Sequence, residues 1–246
     1  MINGLYSAAS AMAASARQHE VISQNLAHVQ MPGYRRQSVH ETSTEHGFDD
    51  HVKEAMSHHS MGTDSSKVVY DFSTGTLEQT GHPLDVALEG KGFFVIEGPN
   101  GPLYTRNGVF QIDSEGRLVT ADLLPVASKG GDITFPPDVS PATIAIDKEG
   151  RISVKNVEIG QLAIVDFEEP QRLALHGVTL FEAPDDMPPK EIESNLVQGS
   201  RERSNVSPIQ ELVNLIAAQR RQEAAQKSMN LIQESVGKRI NVQGGV

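Results

Sequence analysis

Apolar and small positions along the first thirty residues recur at Leu5, Ala9, Met12, Ala16, His19, Ile22, Leu26 and Val29, in steps of three and four. That spacing keeps one face of a 3.6-residue helix, close to a heptad stripe. Gly4 is the only Gly or Pro before Pro32, Asn3 is placed to cap the start, and Pro32-Gly33 stop the pattern. A second stripe runs through Leu215, Ala218, Gln222, Ala225, Met229, Ile232, Val236 and Ile240, broadened by Leu212 and Ile216. Ser207-Pro208 supplies its start, a capping residue followed by a proline at the first helical position. Between about 68 and 183 the period changes to two. Short runs such as "LDVALE", "GFFVIE" and "GQLAIVDF" alternate with the turn sequences "GPNG", "RNG", "DSEG" and "DKEG". Asn100-Gly101 and Asn107-Gly108 read as two-residue hairpin turns, in which both residues take positive φ. The near-repeat "DSEGRLVT" and "DKEGRISV" reads as a turn feeding a strand; the oxygen ligands that would complete a calcium loop are missing.

The pattern predicts an α+β chain: long N- and C-terminal helices pairing as a coiled-coil-like layer, with an all-β, barrel- or sandwich-like domain inserted between them. The expected boundaries are an N-terminal helix over 1–33, an extended His-rich connector over 34–70, the β domain over 71–183, a return connector over 184–204 and a C-terminal helix over 205–246. Ala-rich stripes with few large apolar groups bury little area. Packing on their own domain remains open for such helices, beside association with further copies that supply the missing contacts.

Charge sharpens this division. The net charge is -11, yet residues 1–36 carry +2, residues 201–246 carry +3 and the middle carries -16. An acidic body argues against nucleic acid, which needs concentrated Lys and Arg. Cysteine is absent, so no disulfide, thiolate site or thiol nucleophile is available. No apolar run reaches the length of about eighteen residues that a spanning helix needs, and "SAMAASA" lacks a preceding basic residue, so a cleaved leader is not expected. His40, His46, His51, His58 and His59 crowd one polar stretch without metal-ligand spacing, and a solvated connector is the reading they favour. No G-x-S-x-G elbow, P-loop or dinucleotide fingerprint occurs. Asp85 reads as a cap or a solvent-facing carboxylate and Arg106 as a hairpin residue. The residues therefore point to no enzyme, no cofactor and no metal.

"NGLYSAASAM" with "ISQNLAHVQMPGYRR", then "PLDVALEGKGFFVIEGPNGPLYTRNGVFQIDSEGRLVTADLLPV", then "SNVSPIQELVNLIAAQRRQEAAQKSMNLIQ", resemble the start, centre and end of flagellar basal-body rod and hook proteins, in that order. Length and the single modest β domain look most like the FlgF/FlgG type. The chain departs from the family's pattern at Gln24, His28, Gln30 and Met31. The resemblance implies a structural subunit of the flagellar rod, exported unfolded by the flagellar type III apparatus without a cleaved signal peptide. It implies polymerisation through the terminal helices into a hollow axial drive shaft and secretion channel within the basal body. Its partners would be copies of itself, other rod and hook proteins, the export apparatus and the surrounding ring proteins. The assembly interface would draw on Leu5, Met12, Ile22, Asn25, Leu26 and Pro32, with Leu212, Leu215, Ile216, Met229, Ile232 and Val236. Competing readings are a hook-like axial protein, a monomeric ligand-binding β protein clasped by helices, which predicts an apolar pocket, and a cell-wall hydrolase with two carboxylates about 5–10 Å apart in a cleft.

Overall fold

A computed structural model describes residues 2–41, 66–131, 133–137 and 139–243. The chain divides into two compact units: residues 1–27, 37–70 and 206–246 make one, and residues 28–36 with 71–205 make the other.

The first unit holds α1 (Ile2–Ala27), β1 (Gln37–Glu41), β2 (Ser66–Tyr70) and α2 (Pro208–Gln243). Helix α1 begins at Ile2, so Asn3 lies inside its first turn rather than capping it. Helix α2 begins at Pro208, directly after the predicted capping serine. Strands β1 and β2 pair antiparallel, Gln37 opposite Tyr70 and Glu41 opposite Ser66. The sequence between them carries His46, His51, His58 and His59, which lie outside the described residues.

The second unit is built of β-strands, with two short 3-10 turns at Pro141–Thr143 and Pro170–Arg172. Its strands are β3 (Leu77–Gln79), β4 (Val86–Glu89), β5 (Phe93–Gly98), β6 (Gly101–Thr105), β7 (Gln111–Ile112), β8 (Leu118–Val119), β9 (Ile144–Ile146), β10 (Arg151–Val154), β11 (Val157–Gln161), β12 (Ile164–Asp166), β13 (Ala174–His176), β14 (Leu180–Glu182), β15 (Lys190–Glu191), β16 (Asn195–Gln198) and β17 (Ser200–Glu202). A six-stranded sheet runs β13-β14-β6-β5-β12-β15, a three-stranded one β11-β10-β9, and β16-β4, β17-β3 and β7-β8 form pairs. Alternate apolar residues of these strands, among them Val86, Leu88, Phe94, Ile96, Ile152 and Ile164, meet in one core with Leu162 from the link between β11 and β12. Phe94 and Phe110 pack edge to face, ring centres 5.2 Å apart, the arrangement aromatic quadrupoles favour.

Three expectations are corrected. The first is the fold class. The two terminal helices are the only α-helices among the described residues, and most of the chain between them is β, so the inserted β domain stands; the coiled-coil-like helical layer does not. A coiled-coil seam needs large apolar knobs turned toward the partner. Here Leu212, Val213, Ile216 and Leu231 are exposed, whereas Glu211 and Ala218 are the residues α2 buries. The second concerns the turns. Gly98 pairs with Gly101, so the β5–β6 hairpin turns at Pro99-Asn100, one residue earlier than Asn100-Gly101 predicts. Asn107-Gly108 makes no such turn: the Asn107 carboxamide accepts the Val109 N–H at 3.2 Å in an Asx turn. The consecutive positive-φ pair is instead Lys155-Asn156, φ 48° and 66°, between β10 and β11. The third is the return segment 184–204, which contributes three strands to the β unit, β16 and β17 pairing with β4 and β3. Strands of two to four residues carry too little alternation for a period to register.

Candidate functional site

Helix α2 leaves five large apolar side chains exposed. Ile209 is 77% exposed and Leu231 67%, with Leu212, Val213 and Ile216 also more than half exposed. At about 100° per residue these five positions fall within an arc of roughly 100°. Glu211 and Ala218 are buried, and Gln222, Ala225, Met229 and Ile232 are half-buried, on the opposite side. The stripe read from the sequence is therefore the covered side, with Leu215 at its edge, and its broadening residues Leu212 and Ile216 belong to a second apolar strip that the helix's own unit leaves open.

The residues predicted for assembly separate on this geometry. Leu212 and Ile216 lie on the open stripe, and Leu215, Met229 and Ile232 are half-buried. In α1, Ile22 and Asn25 are buried, and Met12 and Leu26 are half-buried. Leu5 and Val236 belong to the helical backbones of α1 and α2. Pro32 is half-buried in the turn that follows α1. Asn25 already has an internal task. Its Nδ2 donates to the Gln37 carbonyl at 2.8 Å and its Oδ1 accepts the Gln37 N–H at 2.9 Å, so one carboxamide stands in for a strand at the start of β1. The carboxylate of Glu211 lies 3.5 Å from the same Nδ2.

In the β unit the sequence motifs that looked like loops and caps assemble a buried charged clasp. Arg35, of "PGYRR", is 1% exposed; Glu202, on β17, is 1%; and Arg106, of "YTRNG", is 3%. Arg35 Nη2 donates to Glu202 Oε1 at 2.7 Å, and Arg106 Nη1 lies 3.6 Å from Glu202 Oε2. Arg106 Nη1 also donates to the Gly90 carbonyl at 2.7 Å, and its guanidinium sits 5.3 Å from the Phe93 ring centre. Arg35 Nη1 donates to the Ser73 carbonyl at 2.8 Å. Burial lowers the Arg106 pKa to about 10, reinforced by the like charge of Arg35 and opposed by the carboxylates of Glu202 and, more weakly, Asp166. Two guanidiniums thus share one carboxylate in a dry site. Arg106 is therefore no hairpin residue, and Asp85 is no solvent-facing cap: it is buried and accepts the Thr80 hydroxyl at 2.6 Å.

Close backbone approach makes the clasp possible. Gly33 has φ 70°, and a side chain there would run into the backbone of Arg106 and Asn107. Its N–H donates to the Glu202 carbonyl at 2.9 Å. At Gly75 a side chain would meet the Arg203 carbonyl, and the Gly75 N–H donates to Glu202 Oε1 at 2.7 Å. His28, at one of the positions where the chain departs from the pattern it resembles, stacks on the buried Tyr34, ring centres 5.1 Å apart. An alternation of short runs gives no hint of such a clasp; the signal available was a pair of arginines held beside Pro-Gly and a Glu set between Arg201 and Arg203 in the return segment.

A concavity at the tip of the β5–β6 hairpin, lined by Pro99, Asn100, His176 and Glu182 among others, encloses about 30 Å³. That is room for about one water, not for an organic ligand.

Residues 87–154 match the family described as flagellar hook protein FlgE/F/G D1 domain, and residues 197–241 match flagellar basal body rod FlgEFG protein C-terminal. Among curated proteins the chain is 31% identical to the flagellar basal-body rod protein FlgG of Borreliella burgdorferi, over 96% of this chain and 97% of that one. It is 30% identical to FlgF of Salmonella typhimurium over 97% of both, and 29% identical to FlgF of Caulobacter vibrioides over 94% and 93%. The open apolar stripe of α2 lies inside the C-terminal match and the core strands β4, β5 and β6 inside the central one, so this chain belongs to the flagellar basal-body rod protein family.

Proposed function

We propose that the chain is a structural subunit of the bacterial flagellar rod, polymerising through its terminal helices into an axial drive shaft with a central export channel. Full-length similarity to rod proteins supports the role, and the outward apolar stripe Ile209, Leu212, Val213, Ile216 and Leu231 is the observation that carries the mode of assembly. Full burial of such a side chain is worth about 1.5–3 kcal/mol, and because these five are already partly covered a neighbour that covers the rest contributes roughly 1–2 kcal/mol per residue. A head-to-tail contact that does not close on itself gives a filament rather than a ring. The neighbours in this reading are copies of the same chain and other axial proteins. Delivery in this reading is by the flagellar export apparatus, and the place of work is the basal body, inside its rings. The role is structural and not catalytic: the buried charges of the β unit are occupied with one another, and the relatives are named as rod proteins.

The test replaces Leu212 and Ile216 together by Asp. The purified variant should keep its circular dichroism and lose polymerisation in sedimentation, and cells carrying it should lose motility. Polymers of wild-type length from the variant would refute the stripe as the assembly surface.

A further inference from the structure

The charged clasp joins three stretches of the β unit that lie far apart in the chain: 28–36, 71–76 and 199–205. Glu202 supplies a carbonyl to Gly33 and carboxylate oxygen to Arg35 and Gly75. Asn205 accepts the Arg36 N–H at 2.8 Å and donates to the Asp71 carbonyl at 2.8 Å. The arithmetic of charge is uneven, because Arg35 and Arg106 are both buried and Glu202 is the carboxylate that pairs with both. Without Glu202, seating 28–36 would bury two like charges side by side in a low-dielectric site, with the half-buried Asp166 offsetting Arg106 less than Glu202 does. Desolvation and repulsion then act together against docking. With Glu202 in place, the same two charges draw the segment in.

We propose that Arg35, Arg106 and Glu202 form a chain-completion latch: repulsion between the two arginines keeps 28–36 and 71–76 off the β unit until the stretch carrying Glu202, 167 residues after Arg35, has arrived. The N-terminal stretch of a partly delivered chain thus stays undocked, and both stretches close in one step when the C-terminal connector is present. The latch stands on the clasp geometry and does not depend on the rod reading.

The experiment is amide hydrogen exchange on the full-length chain. In Glu202→Gln, amides of 28–36 and 71–76 should exchange about tenfold faster or more, while those of β5 and β6 keep their wild-type rates. Adding Arg106→Gln to that variant removes the repulsion and should restore part of the protection. A purely hydrogen-bonded clasp predicts further loss instead, since the bond to the Gly90 carbonyl goes too. No change in either stretch, an equal rise over the whole β unit, or further loss in the double variant would each overturn the latch. Should Glu202→Gln fail to fold, folding of the double variant supports the latch and failure of both overturns it.

Discussion

Single residues carry unequal weight in the clasp, and the count of charges says how. Removing Glu202 strands two buried guanidiniums, whereas removing Arg106 leaves Arg35 and Glu202 as a balanced pair. Glu202→Gln should therefore cost about 3–5 kcal/mol in urea unfolding, and Arg106→Met less than half of that. Equal costs would show that the local excess of positive charge is neutralised by some other group. Gly33→Ala is expected to lose about 1–3 kcal/mol, because alanine is strained at φ 70° and its methyl meets the backbone at Asn107. The two Asp-x-Glu-Gly turns form the same staple twice. Asp113 accepts the backbone N–H groups of Glu115 and Arg117 and pairs with the Arg117 guanidinium; Asp147 does so with Glu149 and Arg151. The backbone bond from Arg117, followed by its side chain, holds the Asp113 pKa below the ordinary 3.8. At Asp147 burial pushes upward and is outweighed by the bonds from Arg151. A depressed carboxylate stabilises the fold above its unfolded pKa and loses that contribution as pH falls through the folded value. The stability gap between wild type and Asp113→Asn/Asp147→Asn should thus be full at pH 6 and close below about pH 3.8, read by denaturant midpoints across that range.

At the scale of elements, the outward stripe of α2 and the carboxamide of Asn25 pull in different directions. The stripe is unfinished until something covers it, while Asn25 finishes the first unit internally by binding both backbone groups of Gln37. Asn25→Ala strips two buried backbone groups of their partners and should cost about 1–3 kcal/mol. The loss should show as faster exchange in β1 and β2 in the isolated chain. If Asn25 acted only between copies, monomer exchange would not change and polymerisation alone would suffer. The helix stripes were legible because a run of three- and four-residue steps over thirty positions survives noise. Which side faced inward was not: period says that a face exists and is silent on what it touches. Ala218, Gln222, Ala225, Met229 and Ile232 of the predicted stripe lie on the covered side with Glu211, whereas Leu212 and Ile216, read as broadening it, lie on the open one.

For the whole molecule, the two-unit division places the terminal helices, with β1 and β2, in a different unit from strands β3 to β17, and the β unit brings its own core. Deleting 207–246 should accordingly leave that core folded, with native-like tryptic resistance over 77–205, while abolishing assembly and motility. Collapse of the β unit on that deletion would contradict its independence. The deletion is best made after Asn205, since that side chain binds backbone groups at 36 and 71. Strands β16 and β17, and the pairing of β1 with β2, escaped sequence reading because each depends on a partner more than twenty residues away. Short strands are stabilised by cross-strand neighbours more than by their own propensity.

Local pattern, unaided, was enough to set the two helices, the β body between them, the start at Ser207-Pro208 and, through three long stretches of resemblance, the family. Each of these lives in consecutive residues, so the information is present in one dimension. Tertiary structure alone decided that Arg35, Arg106 and Glu202 share one dry site, that Asp85 is buried, that the tight turns fall at Pro99-Asn100 and Lys155-Asn156, and that α2 leaves Ile209, Leu212, Val213, Ile216 and Leu231 exposed. The reason is common to all four. A charge, a turn residue or an apolar face takes its energy from whatever lies against it, and in this chain those neighbours arrive from distant parts of the sequence.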